Sequence, residues 1–300
     1  MHLFRIPASQ AVAALRALKA VAMANGVFDE KERSLLEVAA RLYGIDDEDL
    51  EALRPISPLD LAQTITGYED RLRLLQACMV MALADGEATQ DEWQLLTELR
   101  KDLEVEEAQM RAFEKLASGR RDLACAEAAR RAASPNLVRQ PESGLRRVLH
   151  YFGAVVGSTE DDPALAWRYR KLGLLPEGTL GRALWKHCTE RELSFPGEPH
   201  GPPEAVIRHD AIHVLTGYDT EPKGRLLAAA FTAAMKRQEA FAFVFFPMLE
   251  LKKGDFDADA FVEALERGAA CNVDLTDESW DHWAAAPRAV QDLRTEYGIG

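Results

Sequence analysis

The chain has 300 residues, a net charge of -13, 47% hydrophobic and 28% charged residues, which is the profile of a soluble globular protein with room for two cores. No basic tract or aromatic-basic face interrupts the acidity, and this excludes nucleic acid as a partner. Cys78, Cys125, Cys188 and Cys271 stand apart with no CxxC pair, a pattern of free thiols in a reducing compartment and not of a disulfide framework.

From the N-terminus onward the chain reads as helix, and no run of alternating strands is found. Apolar residues recur every three to four positions over 9–24, 30–43, 70–84, 90–102 and 105–117, so the expected fold is all-α. The apolar stretch from Ala11 to Ala24 is broken by Arg16 and Lys19, which suits an amphipathic helix and not a signal peptide. A duplication stands out within this region. Ala20-Val21-Ala22-Met23-Ala24-Asn25-Gly26 is echoed by Val80-Met81-Ala82-Leu83-Ala84-Asp85-Gly86, and both copies run on to Leu35-Leu36 and Leu95-Leu96. Each copy predicts helix, glycine turn, helix, with Gly26 and Gly86 in the left-handed position that ends a helix. Asp29 with Glu32, and Thr89 with Glu92, have the spacing of capping boxes that open the following helix.

These two turns, of the form A-[N/D]-G-x-x-x-x-x-E, resemble those of the TerB-like family, named for tellurite resistance, over residues 8–118. The resemblance implies a helical bundle whose acidic turn residues bind metal. Carried over, they are Asp85, Glu92 and Glu32, with Asn25 in the first copy where the second has Asp85. Capping explains the same carboxylates without any ligand, because acids near helix N-termini satisfy free N–H groups and the helix dipole.

Between 119 and 144 the helical pattern loosens. Gly119-Arg120-Arg121, Ser134-Pro135-Asn136 and Gln140-Pro141-Glu142-Ser143-Gly144 are breakers around one short helix from Asp122 to Ala133, and the domain boundary is expected here.

The remainder carries three blocks: Leu172-Gly173-Leu174-Leu175-Pro176-Glu177-Gly178-Thr179-Leu180-Gly181-Arg182; Arg208-His209-Asp210-Ala211-Ile212-His213-Val214-Leu215-Thr216-Gly217; and Asn272-Val273-Asp274-Leu275 with Trp280, Trp283 and the closing segment to Ile299. On a helix, His209 and His213 share a face and Asp210 reaches the same side. Two imidazoles and a carboxylate on one turn have the donors that grip a divalent metal. The competing reading is a helix whose histidines bond to carbonyls, with Asp210 orienting one of them. Gly178 and Gly181 suit close backbone packing, since no P-loop lysine follows. Glu177 and Arg182 read as a helix-start acid and a solvated cation.

In this order the blocks resemble the Coq-four family of ubiquinone (coenzyme Q) biosynthesis over residues 145–300. The resemblance implies an all-helical domain with a bound divalent metal, usually zinc. It implies a protein that organises the quinone-biosynthesis complex or acts on carbon one of a prenylated ring by oxidative decarboxylation, at a membrane surface it does not span. The family motif is HD, two residues, H, eleven residues, Glu. Its first three positions are His209, Asp210 and His213, and the glutamate position holds Arg225. A cation there repels a dication. Three arrangements stay open: Glu221, one turn earlier and ahead of Pro222, supplies the carboxylate; the site is three-liganded and open to water; or Arg225 with the adjacent helix N-terminus binds an anion.

The apolar run 240–249 is too short for a bilayer, which takes roughly 20 residues. It reads as a core helix ended by Pro247, with some side chains lining a lipid pocket if the family resemblance holds. The cytoplasm, with peripheral contact at the inner face of a membrane, is the expected location. No GxSxG or paired Cys–His points to nucleophilic catalysis, and no GxGxxG points to a dinucleotide. Two roles follow: a metal-dependent protein acting on or binding a prenylated ring or isoprenoid lipid, or a non-catalytic lipid-binding or scaffold protein joined to a stress-response or metal-sensing module, with protein partners in either case.

Overall fold

The computed structural model describes residues 6–45, 50–132, 161–199, 201–236, 240–252 and 254–300. The expected breakers at 134–144 and the first residues of the Coq-four-like span, 145–160, lie outside them. Among the described residues the fold is all-α, without strands; the one extended pairing is an isolated bridge between Thr179 and Ala289. No described helix is long and apolar enough to cross a membrane.

Contacts divide the chain into two compact units that interleave in sequence. The first comprises residues 1–131 and 239–263, the second 132–238 and 264–300. The sequence reading has a single boundary; the contacts instead group the Phe-rich segment with the first unit.

In the first unit, α1 (Ala11–Ala22) is followed by α2 (Glu30–Leu42), α3 (Pro58–Thr64), α4 (Tyr68–Met81), α5 (Gln90–Asp102), α6 (Met110–Ala117) and α7 (Arg121–Ala132). Helix α1 packs on α2, α3, α4 and α5. Being enclosed on several sides, it is rich in small residues: Ala11, Ala14, Ala17 and Ala22 are fully buried beside Leu15 and Val21. Lys19 is buried on the same helix, and its ammonium donates to the carbonyls of Leu50 (2.7 Å) and Glu51 (2.6 Å), so the charge is hydrogen-bonded as burial requires. Later in the chain α12 (Ala240–Met248) packs on α4. Phe241, Phe243, Phe245 and Phe246 are buried, so the Phe-rich run is core, and the helix continues one residue past Pro247 before it stops. An apolar cavity of about 30 Å³, lined by Leu18, Leu35, Tyr43, Ala77 and Phe261 among others, has room for a water or two and not for a prenyl chain.

The duplicated turns form as the spacing requires. Asp29 and Thr89 cap α2 and α5, and both capping boxes are complete. Gly26 and Gly86 are left-handed, with φ of 81° and 88°. They do not directly end the preceding helices: α1 stops at Ala22 and α4 at Met81. Each glycine instead closes the turn that follows, its N–H donating to Met23 and to Leu83, both at 3.0 Å.

The second unit holds α8 (Pro163–Arg170), α9 (Leu180–Glu190), α10 (Glu204–Thr216), α11 (Pro222–Lys236), the C-terminal part of α13 (Ala258–Ala270), α14 (His282–Ala285) and α15 (Val290–Tyr297). Helix α10 is the central element, packed on α9, α11 and α15. Ile207, Ala211, Ile212 and Leu215 carry it into a core with Tyr169, Leu184, Phe231, Leu275 and Leu293. Cys188 and Cys271 are buried free thiols of this unit.

Candidate metal centre

The end of α10 fixes the candidate site. The helix stops at Gly217, whose φ of 80° is left-handed, and its last carbonyls are taken up by arginines from distant positions. Arg294 donates to Leu215 (2.6 Å) and Arg267 to Thr216 (3.1 Å), while Arg267 also donates to the Tyr218 hydroxyl (2.8 Å). Cations at a helix C-terminus favour the dipole as well. The loop after the helix is thereby held, and the Tyr218 carbonyl lies 3.0 Å from His213 Nδ1. A carbonyl only accepts, so Nδ1 carries the proton and the Nε2 lone pair is left for a ligand. Metal-binding histidines are oriented in this way.

His209, Asp210 and His213 are all buried. The rings of His209 and His213 meet edge to face with centroids 5.0 Å apart. Burial drives the His209 imidazole down to about 3, helped by the neighbouring His213, and burial likewise lowers His213. Both are neutral at physiological pH, the form that ligates.

A third histidine joins them. His187, on α9, is 8% exposed. Its ring lies 6.1 Å from that of His213, and its Nε2 is 3.6 Å from Asp210 Oδ1. No motif spacing links position 187 to position 210; only the packing of α9 on α10 brings them together. Taken as they stand, no three or more His, Cys, Asp or Glu side chains among the described residues close round a point that would hold a metal ion.

The two candidates for the missing glutamate sit at the start of α11. Glu221 is exposed; its carbonyl accepts from Arg225 N–H (2.8 Å) and its own N–H donates to Asp219 Oδ1 (2.9 Å). Arg225 is partly buried and donates to the Thr220 carbonyl at 2.9 Å. Among the described contacts, therefore, the guanidinium braces its own loop.

Helix α10 carries a second polar cluster at its other end, which no motif spacing predicts. The Tyr169 hydroxyl donates to Glu204 Oε1 (2.7 Å) and lies 2.9 Å from His282 Nε2; Trp283 Nε1 reaches the same carboxylate at 3.3 Å. Trp280 is core, its indole donating to the Tyr297 hydroxyl. The Leu-Pro-Glu-Gly block builds the approach to α9. Arg182 is not simply a solvated cation: it donates to Glu177 (3.0 Å) and to the Gly173 carbonyl, and lies over the Trp185 ring. A Cβ on Gly181 would meet Leu175 at 2.6 Å, so this glycine permits close packing.

In the first unit, Glu32 and Glu92 are 2% and 1% exposed and accept the N–H groups of Asp29 (2.9 Å) and Thr89 (2.7 Å). Asp85 accepts from Glu87 N–H, as Asn25 does from Val27. All three carboxylates are thus used locally. They also feel one another's charge: burial first, then the charges of Asp29, Asp85 and Glu92, push Glu32 up to about 8, and burial pushes Glu92 up to about 7.

The fold and these sites define an all-helical protein with a duplicated, acid-capped helical unit and a second helical unit built around a buried histidine cluster. Residues 59–115, from α3 into α6, match the family model described as Tellurite resistance protein TerB. No curated protein and no solved structure matches the chain.

Proposed function

We propose that the second unit binds one divalent metal, zinc by its donor set, at His209, Asp210 and His213, and that the protein acts on or binds a prenylated aromatic ring or isoprenoid lipid in the manner of the Coq-four family. The observation that carries this reading is the burial of two neutral imidazoles and a carboxylate on one turn of α10, with His213 Nδ1 committed to the Tyr218 carbonyl. Nitrogen-rich sites with one carboxylate suit zinc. When bound, such a metal polarises a ring carboxylate or activates water. The chain's own contribution is to keep the imidazoles neutral, to point His213 Nε2 inward and to exclude bulk water. Cytoplasmic location with peripheral contact at a membrane belongs to the same proposal.

The alternative reading is a lipid-binding or scaffold protein with a degenerate centre, joined to a TerB-like stress-response or metal-sensing module and working with protein partners. Two observations favour it: Arg225 stands at the glutamate position, and Glu32, Asp85 and Glu92 form an acidic group in the first unit. Elemental mass spectrometry of the purified full chain beside His213→Ala separates the readings. The first predicts about one zinc or other divalent ion per chain, lost in the variant. Metal that persists even when His209 and His213 are both replaced by alanine belongs to the acidic turns and favours the second. Metal in neither protein overturns the metal-dependent form of the first.

A further inference from the structure

We propose that His187 is a ligand of the same metal and replaces the glutamate that this chain lacks at position 225. The inference rests on the metal reading of His209, Asp210 and His213 and extends it to a residue on another helix.

His187 is 8% exposed, and its Nε2 is buried with no hydrogen-bond partner. A buried ring nitrogen left unsatisfied is costly in a core. The nearest acceptor, Asp210 Oδ1, is 3.6 Å away, too far for a hydrogen bond. It is close to the separation of two donors on one zinc: metal–ligand bonds of about 2.0–2.1 Å at tetrahedral angles put donor atoms about 3.4 Å apart. By the same geometry, two imidazoles sharing an ion have ring centroids about 5 Å apart. The His209–His213 pair is at 5.0 Å; the His187–His213 pair, at 6.1 Å, is about an ångström wider, so His187 must move inward from its described position to share the ion.

Connectivity supports the same role. His209, Asp210 and His213 come from one helix, and ligands on a single turn cover one side of an ion. A fourth must approach from a different element. The family pattern places it on the segment after α10, where Arg225 instead donates to the Thr220 carbonyl. Helix α9 faces α10 from another direction and carries His187 next to Asp210. Three imidazoles and one carboxylate give a nitrogen-rich set with one anionic charge instead of two, and a substrate or water oxygen would add as a fifth ligand. The resulting centre binds a borderline dication and discriminates against magnesium and calcium, which prefer oxygen.

Cobalt(II) titration of the metal-free full chain tests this, read by visible absorption and by competition for affinity. The wild type should show the intense visible bands of a four-coordinate site at one equivalent. His187→Ala should bind more than about 100-fold more weakly, beyond the range seen when only a supporting residue is removed, with unchanged circular dichroism. His187→Cys should regain affinity and gain a thiolate-to-cobalt charge-transfer band absent from the wild type, which a merely structural histidine would not produce. Tight binding in the wild type and His187→Ala alike, or a His187→Cys protein that binds without that band, overturns the role of His187 and leaves the three-residue site standing. If the wild type binds no cobalt, both His187 as ligand and the metal centre itself are refuted.

Discussion

Glu32 and Glu92 each serve as the return half of a capping box while buried among other acids. Their carboxyls keep their protons to about pH 8 and about pH 7, against 4.5 for an ordinary glutamate, chiefly because of burial. Between those limits the folded chain binds more protons than the unfolded chain, so their contribution to stability falls as pH rises through that window. Glu32→Gln keeps an oxygen for the Asp29 N–H and removes the ionisation. In chelator-treated protein it should leave urea unfolding near pH 5 almost unchanged and raise stability at pH 8, flattening the pH dependence. A variant as pH-sensitive as the wild type would show that Glu32 does not titrate in the folded state as described. His209 behaves in the opposite sense. Its imidazole stays neutral down to about 3, so what it contributes to stability diminishes as pH falls below the ordinary histidine value of about 6.5.

At the scale of elements, what could be read from sequence was what is local. The boxes Asp29–Glu32 and Thr89–Glu92 span three residues, and capping is decided within that span; both form as the spacing requires. The turn His209–Asp210–His213 was legible for the same reason, being one helical repeat. His187 was not, because its meeting with Asp210 depends on how α9 packs on α10. Tyr169 and His282, 113 positions apart, were beyond any spacing rule. The Phe-rich run was legible as core but not as core of the first unit, since hydrophobicity says that a segment is buried and not against what. Glycine positions show the same limit. Gly268 lies inside α13, where alanine ordinarily stabilises a helix by about 1 kcal/mol. Here a Cβ would stand 2.1 Å from the Phe231 carbonyl oxygen, and relieving that clash has to move backbone. Gly268→Ala should therefore destabilise the protein by about 1–3 kcal/mol, read from the midpoint of chemical denaturation. A variant as stable as the wild type, or more so, would mean that α11 and α13 are not in this close contact.

For the whole molecule, two helical units carry two different kinds of polar site. The first, which includes the TerB match at 59–115, is acidic and oxygen-only, with Glu32 and Glu92 engaged in capping and Asp85 in its own turn. The second is rich in nitrogen, gathered on α9 and α10, and buried. These chemistries select different ions: oxygen ligands suit hard cations, and imidazoles suit zinc and its neighbours. The central claim, carried over from the proposed function, is that a divalent metal added to this protein binds at the histidine cluster. X-ray absorption at the zinc edge, on the full chain loaded with one equivalent, tests it most directly because imidazole rings leave a distinct multiple-scattering signature. The account predicts a nitrogen and oxygen shell at about 2.0–2.1 Å fitted by three imidazoles and one carboxylate. An oxygen-only shell without imidazole scattering would place the ion in the acidic turns and contradict it.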